Sequence, residues 1–492
     1  MERRTESTNK KALLLNLDHS IFGTFAEIGG GQETARYFFR AGGASGTIAK
    51  SISAYDKAFS DAIYNNNKPG RYVSKYRLGQ MLATEYSELD NITSQEKKDN
   101  TKLFSFANTV ETLNYKKSNK CRGWIGIRYQ LTPNDKWNEV IMHIHLLEDD
   151  AILQQKTLGI IGVNLIFACF YYWESPTLFL QSLMDMTDSS RVNVSMLKMS
   201  GPQLDYIDNR LLAVQLVKEG MSPAMMFDRS GEVQQPSEML YKKNVLAFRG
   251  SFRPITYVGF DMLKTSYSIF KHDEDYTKKD TLALCEMTLN NILEDGHIDE
   301  RDFLDRVNLL NGMGQNVMVS NFKEYYKLVN YFSEFNIKNI RIVIGIPTFE
   351  KVLQEHYYKH LKGGILEAFG KLFVQNMKLY VYPTIENGKI IDSCNIKLAE
   401  HLQCLYKYLI ESRKILDIKN YREDRLHIRT RDVLQMIQGN VDGWEHFVPV
   451  YIEECIKRNS LFNYNGHKEL IDRTKDLSKH CRPSEHKSKP SK

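Results

Sequence analysis

The second half of this 492-residue chain alternates short runs rich in β-branched residues with longer stretches in which apolar residues recur every three or four positions. The first pattern is typical of buried strands, and the second predicts helices with one apolar face. Regular strand and helix alternation indicates a parallel sheet covered by helices. The predicted strands are residues 192–200, 224–228, 244–250, 281–289, 316–322, 340–347 and 377–383.

The predicted fold class is therefore α/β, with a mostly parallel, helix-flanked sheet in the second half. Seven strands fit an open doubly wound sheet, and one more strand would allow a closed, barrel-like arrangement. Before residue 150 the pattern differs, because helices come first and two strands follow, at 123–131 and 139–147. We expect an N-terminal α/β region over residues 12–150 and an α/β domain over residues 151–470.

The charge of the chain is concentrated at its ends. Of the formal net charge of +6, residues 1–11 contribute +2 and residues 478–492 contribute +4, so the remainder is neutral. Both ends are polar, and short segments of this composition are typical of disorder. We predict two disordered ends and no clear nucleic-acid partner, since a short Lys/Ser/Pro tail is more often solubilising than nucleic-acid-binding.

One apolar stretch, residues 158–173, approaches the length of a membrane span but carries Asn164 near its centre. An amide in hydrocarbon needs a partner, so the stretch is predicted to be a buried helix and no transmembrane segment is expected. The seven cysteines form no C-x-x-C pair, and the polar N-terminus does not resemble a signal peptide. These features favour a reducing, cytoplasmic location.

Three glycine-rich turns precede predicted helices. Glycine lets backbone N–H groups approach a phosphate, and the start of a helix carries a partial positive charge. Two arginines flank the middle turn and could hold an anion through both guanidinium N–H groups. The alternative is that the glycines only begin or end helices. The ligand-binding candidates are Gly30 and Gly31, then Arg249, Gly250, Ser251 and Arg253, and finally Gly363 and Gly364.

Glu286 lies late in the predicted strand 281–289, near the point where Arg249 and Arg253 would leave a neighbouring strand. It is a candidate catalytic base, and a buried ion pair with one of the arginines is the alternative.

His143 and His145 alternate along a predicted strand, so their imidazoles share one face, with Glu148 or Asp149 nearby. No third ligand is specified by the sequence, and we predict no metal site.

The segment from Gly250 to Thr256 resembles the G-x-F-x-P-x-[HT] loop of the nucleotidyltransferases that make dinucleotide cofactors. Matching positions are Gly250, Phe252, Pro254 and Thr256. In that family the loop joins a strand to a helix and a following H-x-G-H supplies imidazoles to the triphosphate. The resemblance implies a catalytic role for Thr256, whereas Phe260 stands where the family has its second histidine.

A broader resemblance covers most of the chain. The strings "FGTFAEIGGGQETARYFFRAGG", "KKNVLAFRGSFRPIT" and "GGILEAFGKLF" are similar to a family of bacterial proteins of about this length. Its members carry the labels nicotinate-nucleotide adenylyltransferase or TonB-dependent receptor. The second label implies an outer-membrane protein, which the helix-rich pattern argues against.

The leading hypothesis is a protein that binds a nucleotide or another phosphorylated small molecule, with nucleotidyltransferase-like catalysis as its enzymatic form. The competing hypothesis is a non-catalytic cytoplasmic binding or scaffold protein whose glycine turns are structural. The sequence specifies no cofactor and no oligomeric state.

Overall fold

A computed structural model describes residues 5–273 and 276–465. The chain divides into two compact units, with the boundary between Met225 and Met226. Each unit is built around one main sheet flanked by helices, so the predicted α/β class is confirmed.

The first unit contains a six-stranded sheet in the order β2-β1-β3-β4-β5-β6. Strand β1 is parallel to both of its neighbours, and the strands from β3 to β6 are mutually antiparallel. The strands are β1 (Ile21–Ile28), β2 (Ile48–Ile52), β3 (Lys102–Glu111), β4 (Arg122–Tyr129), β5 (Asn138–Leu146) and β6 (Val192–Ser200). The helices are α1 (Thr8–Leu17), α2 (Glu33–Ala41), α3 (Lys57–Tyr64), α4 (Lys75–Ile92), α5 (Gln95–Asn100), α6 (Ala151–Tyr171), α7 (Pro176–Leu183) and α8 (Asn209–Lys218).

Helix α6 is the core helix of the first unit. It has the length and hydropathy of a membrane span, yet 78% of its most apolar window is buried within the protein. A Cβ atom on Gly162 would lie 2.3 Å from Thr34 Oγ1 of α2, so the two helices are in close contact there. The Asn164 amide donates to the carbonyls of Leu183 and Asp185, at 2.9 and 2.8 Å. The predicted buried helix is confirmed, and its amide has the partners it needs.

Two boundaries differ from the sequence-based expectation. The expected break at residue 150 is not the one the structure has, because α6 packs against α1 and α2 and β6 completes the first sheet. The predicted disorder of residues 1–11 is wrong from Thr8 onward, where α1 begins with Ser7 as its cap. The Lys11 ammonium is fully buried and pairs with Asp185 at 2.8 Å. The predicted tail, residues 478–492, lies outside the described residues.

The second unit contains an eight-stranded sheet in the order β18-β15-β14-β9-β10-β13-β7-β8. Its strands are β7 (Ala224–Phe227), β8 (Val233–Gln234), β9 (Asn244–Arg249), β10 (Thr281–Thr288), β13 (Asn316–Ser320), β14 (Asn339–Gly345), β15 (Met377–Tyr382) and β18 (Ile415–Asp417). Two small hairpins lie outside it, β11 (Leu293–Glu294) with β12 (His297–Ile298) and β16 (Thr384–Glu386) with β17 (Lys389–Ile391). The helices are α9 (Pro236–Leu240), α10 (Tyr257–Phe270), α11 (Leu289–Ile292), α12 (Glu300–Gly312), α13 (Tyr325–Ser333), α14 (Ile346–Val352), α15 (Gly364–Leu372), α16 (Gln403–Glu411), α17 (Thr430–Gln438) and α18 (Val450–Asn459).

The order of these strands has a switch point. After β9 the chain adds β10 and then β13 on one side, crosses to the other side of β9, and adds β14, β15 and β18. Numbered from β9, the six strands have the order 3-2-1-4-5-6 of a doubly wound sheet. Of the two forms left open by the sequence, the sheet is the open one. The predicted strand 192–200 is present as β6, but it belongs to the first sheet.

Candidate functional site

The switch point lies between β9 and β14, which are parallel neighbours. In doubly wound sheets, ligands bind in the crevice outside the carboxyl ends of the two strands at such a point, because the loops that follow them diverge. The loop after β9 is the glycine-containing segment from Gly250 to Thr256, and it leads into α10. The sequence-predicted loop therefore occupies the position where this architecture places a ligand.

The β9–α10 loop is fastened through its carbonyl groups. The Asn291 amide donates to the Gly250 carbonyl at 3.2 Å, and Arg306 Nη1 donates to the Ser251 carbonyl at 3.3 Å. A trans peptide holds its carbonyl and its N–H in opposite directions. The N–H groups of Ser251 and Phe252 therefore point away from Asn291 and Arg306. Phe252 has a φ of +50°, in the left-handed region.

Arg249 is engaged inside the protein. Its Nε and Nη2 atoms donate to the two carboxylate oxygens of Glu286, each at 2.9 Å, and Nη1 donates to the Lys323 carbonyl at 3.1 Å. The guanidinium carbon lies 4.2 Å from the centroid of the Tyr325 ring. Burial lowers the pKa of Arg249, but the Glu286 carboxylate outweighs this and the pKa lies above its ordinary value. Arg249 thus stays charged as a partner of Glu286.

Glu286 is fully buried and accepts a further hydrogen bond from Ser320 Oγ at 2.6 Å. Its two oxygens are therefore occupied by Arg249 and Ser320. The buried ion pair that was the alternative to a catalytic base is the arrangement that the structure has, and it leaves this carboxylate no access to a ligand.

Arg253 is also paired internally. Its Nε lies 2.6 Å from Asp302 Oδ1, and Nη1 contacts the Glu294 carboxylate. The other oxygen of Asp302 contacts Arg306, so one carboxylate of α12 holds both arginines. Arg253 and Arg306 together hold the loop in place. Neither Arg249 nor Arg253, the two arginines expected to bind a phosphate, is therefore positioned to do so.

The first glycine turn is closed by a carboxylate of the chain. Glu27, fully buried at the end of β1, accepts from the N–H groups of Thr34 and Ala35 at the start of α2, at 3.3 and 2.9 Å. Burial raises the pKa of Glu27 to about 7, against the lowering effect of these hydrogen bonds. A Cβ atom on Gly30 would lie 2.3 Å from Leu158 Cδ2, so Gly30 is required for packing, and Gly31 turns the chain with a φ of +80°.

The third turn is closed in a similar way. The Gly363 N–H donates to Glu367 Oε2 at 2.9 Å, and the Lys371 ammonium lies 2.6 Å from the other oxygen of the same carboxylate. Gly364 has a φ of +54°, which glycine adopts without strain. At both the first and the third turn, a side chain of the protein occupies the place that the sequence analysis gave to an external anion.

The start of α10 is different. Its cap residue Thr256 makes no side-chain hydrogen bond to the helix, and α17 also begins without a side-chain cap. The hydroxyl oxygens of Thr256 and Thr430, the first residue of α17, are 3.5 Å apart. The starts of two helices therefore lie together beside the loop, and each contributes the partial positive charge of its N-terminus.

Two arginines, Arg425 and Arg429, lie close to the starts of α10 and α17. The Arg425 guanidinium carbon lies 4.2 Å from the ring centroid of Tyr257, the first residue of α10. Arg429 precedes α17 directly, is exposed, and donates to Thr384 Oγ1 at 3.1 Å. This segment was not predicted from the sequence. The available signal was its composition, since "YREDRLHIRTRD" contains four arginines, three before α17 and one in its first turn.

The other polar clusters do not extend the site. His143 and His145 share a face as predicted, with ring centroids 5.0 Å apart. Glu148 is used by Arg191, at 2.7 Å, and Asp149 contacts Lys117. Within the described residues, Asp392, Cys394 and Asp417 have potential ligand atoms within 4.8 Å of one another, and Asp417 already accepts from the hydroxyl of Ser393.

Comparisons with known proteins give weak similarities. No family model and no curated protein matches the sequence. Among solved structures, nicotinic acid mononucleotide adenylyltransferase of Plasmodium falciparum, complexed with APC, has 13% identity and a TM-score of 0.30, covering 45% of this chain and 98% of its own. Competence/damage inducible protein CihA of Agrobacterium tumefaciens has 13% identity and a TM-score of 0.25, covering 34% of this chain and 98% of its own. Similarity at this level does not establish a shared activity.

Proposed function

We propose that the second unit binds a nucleotide or another phosphorylated small molecule at the carboxyl ends of β9 and β14. The observation that carries this proposal is the position of the β9–α10 loop at the switch point of a 3-2-1-4-5-6 sheet, with the N–H groups of Ser251 and Phe252 turned away from the residues that fasten it. Donors fixed in this way bind a phosphate without reorganisation, because the fold has already oriented them.

The roles of the residues follow from their contacts. Ser251 and Phe252 contribute their backbone N–H groups, since the N–H of Gly250 donates to the Glu286 carbonyl, and the hydroxyls of Thr256 and Thr430 are donors at the two helix starts. Arg425 supplies the positive charge, since Arg249 and Arg253 are used by Glu286 and Asp302. The two sequence-predicted arginines thus act on the ligand indirectly, by holding the loop.

Nucleotidyl transfer is the enzymatic form of this proposal. Transfer at phosphorus depends mainly on positioning and on donors that stabilise the charge of the transition state, and both are available from a fastened loop and two helix starts. The segment Tyr257–Phe260 contains no imidazole. Charge stabilisation would therefore come from Arg425 and the threonine hydroxyls. A non-catalytic cytoplasmic nucleotide-binding protein is the second candidate, favoured by the complete internal pairing of Glu286.

The test is the affinity for ATP, measured by calorimetry, of the wild type and of Arg425→Gln. Removing a charge-assisted hydrogen bond should weaken binding by roughly 1.5 to 3 kcal/mol, or about 10- to 100-fold. Arg422→Gln is the matched control, because Arg422 lies three residues away and pairs with Asp424. ATP binding with equal affinity to all three proteins, or no binding to the wild type, would contradict the proposal. Release of pyrophosphate from ATP separates the enzymatic form from simple binding.

A further inference from the structure

The first unit contains a cross-strand pair of basic residues. Arg122 of β4 lies directly opposite His145 of β5, and two residues further along Trp124 lies opposite His143. Side chains at opposite positions of an antiparallel pair share one face of the sheet with their Cβ atoms about 5 Å apart. Two basic groups in this position repel each other when both are charged, and such pairs destabilise a sheet.

The surrounding residues add polar groups around this pair. His143 is almost completely buried, with its Nδ1 atom 2.5 Å from Ser195 Oγ of β6, and its ring lies 4.7 Å from that of Trp124. Asn193 of β6 is the register partner of His145 and is half-buried. These side chains form a recessed polar surface on one face of the β4–β5–β6 sheet.

Strand β3 contacts the segment that precedes α4, and this segment contains another arginine, Arg71. Thr109 of β3 is the register partner of Trp124, and its hydroxyl donates to the Tyr72 carbonyl at 2.9 Å. The segment containing Arg71 is thereby fixed above this face. Burial lowers the pKa of Arg122, and the charge of Arg71 lowers it further. The pKa of His145 falls to about 4 through burial, with the charges of Arg122 and Lys120 acting in the same direction.

Two acidic side chains close in register or in sequence to these residues, Glu111 and Glu148, already have other partners. Glu111 is the register partner of Arg122 on β3, and its Oε1 atom accepts from the Asn119 amide at 3.0 Å. The Glu148 carboxylate is held by Arg191 and by the Thr157 hydroxyl, at 2.7 Å each. Among the described residues, the acidic register partner of Arg122 therefore already has another hydrogen-bond partner.

We propose that the cationic cluster, defined as Arg71, Arg122, His143 and His145, binds the phosphate group of a small molecule. Arg71 and Arg122 carry positive charge, the two neutral imidazoles offer N–H groups on the same face, and a bound dianion would offset the repulsion between the two arginines. A metal ion is disfavoured, because the two arginines repel it. A nucleic-acid strand is disfavoured because His143 and Trp124 are recessed, at 1% and 3% exposure.

The test is calorimetric titration of the full-length protein with inorganic phosphate and, separately, with AMP. Arg122→Gln should weaken one binding event at least tenfold. Arg128→Gln is the matched control, since it removes an arginine from the same strand about 20 Å away along β4. Arg425→Gln in the second unit should leave this event unchanged, so that failure of this proposal and failure of the proposed function give different results. Tighter binding of AMP than of phosphate would indicate an organic phosphate as the natural ligand, and the reverse would indicate the free anion.

A second variant, His145→Gln, separates a loss of ligand binding from a misfolding of the Arg122→Gln protein. His145→Gln keeps a polar side chain in the sheet and removes the imidazole, and it should also weaken the same event. The proposal is overturned if folded Arg122→Gln and His145→Gln proteins bind phosphate and AMP as the wild type does, or if the wild type binds neither ligand outside the site that depends on Arg425.

Discussion

Two turns of the same sequence type behave differently in this protein. Gly29–Gly31 joins β1 to α2, and the segment beginning at Gly250 joins β9 to α10. At the first, the buried Glu27 carboxylate accepts from the N–H groups at the start of the helix. At the second, the cap residue Thr256 makes no side-chain hydrogen bond to the helix, and the loop is fastened by its carbonyls. A glycine turn therefore marks a helix start in both places, and the two turns differ in whether an acidic side chain of the protein already accepts from the N–H groups of the helix.

The largest effect on the free energy of unfolding is expected from the Arg249–Glu286 ion pair, which lies beside the β9–α10 loop. Arg249→Ala leaves the Glu286 carboxylate buried without its cation, and such a loss destabilises a protein by roughly 3 to 5 kcal/mol. Urea unfolding measures this free energy. Arg253→Ala should cost less, because Asp302 keeps its contact with Arg306 and Glu294 is largely exposed. A larger loss for Arg253→Ala than for Arg249→Ala would show that the loop is fastened mainly through α12.

The first turn should make stability depend on pH. The pKa of Glu27 is raised to about 7 in the folded protein from its ordinary value of 4.5, so the folded state binds the proton more tightly than the unfolded state. The stability due to protonated Glu27 is fully present below about pH 4.5 and is lost as the pH rises through 7. The slope is at most about 1.4 kcal/mol per pH unit.

Glu27→Gln removes this titration and should flatten the pH dependence of the free energy of unfolding between pH 4.5 and 7. Chemical denaturation at several pH values measures the slope of the variant against that of the wild type. An unchanged slope would mean that Glu27 does not titrate in this range, and the contrast between the two turns would then rest on hydrogen bonding alone.

The smallest effect is expected at the third turn. Gly364 has a φ of +54°, where an alanine is strained, so Gly364→Ala should destabilise the protein by about 1 kcal/mol. Gly370, in the interior of the same helix, has open space around its Cβ position, and Gly370→Ala should stabilise by about 0.5 to 1 kcal/mol. Thermal unfolding should show shifts of opposite sign. Shifts of the same sign would indicate that the turn has no conformational requirement for glycine.

The positions of the strands were predicted well, because a run of β-branched residues can be recognised as a strand whichever strand it pairs with. Residues 192–200 were predicted as a strand and form β6 over the same residues, yet β6 pairs with β5 in the first sheet. Its partner is set by contacts distant in sequence, which local periodicity does not contain. The disorder expected at the N-terminus failed for the same reason, since the partner of Lys11 is Asp185.

The candidate site was predicted in part. The β9–α10 loop was found from its glycine, proline and threonine, and the ion pair of Glu286 was foreseen as an alternative. Which arginine forms it depends on register, because Arg249 lies directly beside Glu286 on the neighbouring strand. Thr430 could not be assigned from sequence, since it lies 174 residues from Thr256 and contacts it only in the folded chain.

The buried ammonium of Lys11 has a consequence for synthesis of the chain. Lys11 is made more than 170 residues before Ser182 and Asp185, which receive its hydrogen bonds and its charge. A buried cation without its partners is strongly unfavourable, so α1 cannot reach its native position while the ribosome is still translating the earlier strands. Docking of α1 is therefore expected only after Asp185 has emerged, late in the synthesis of the first unit.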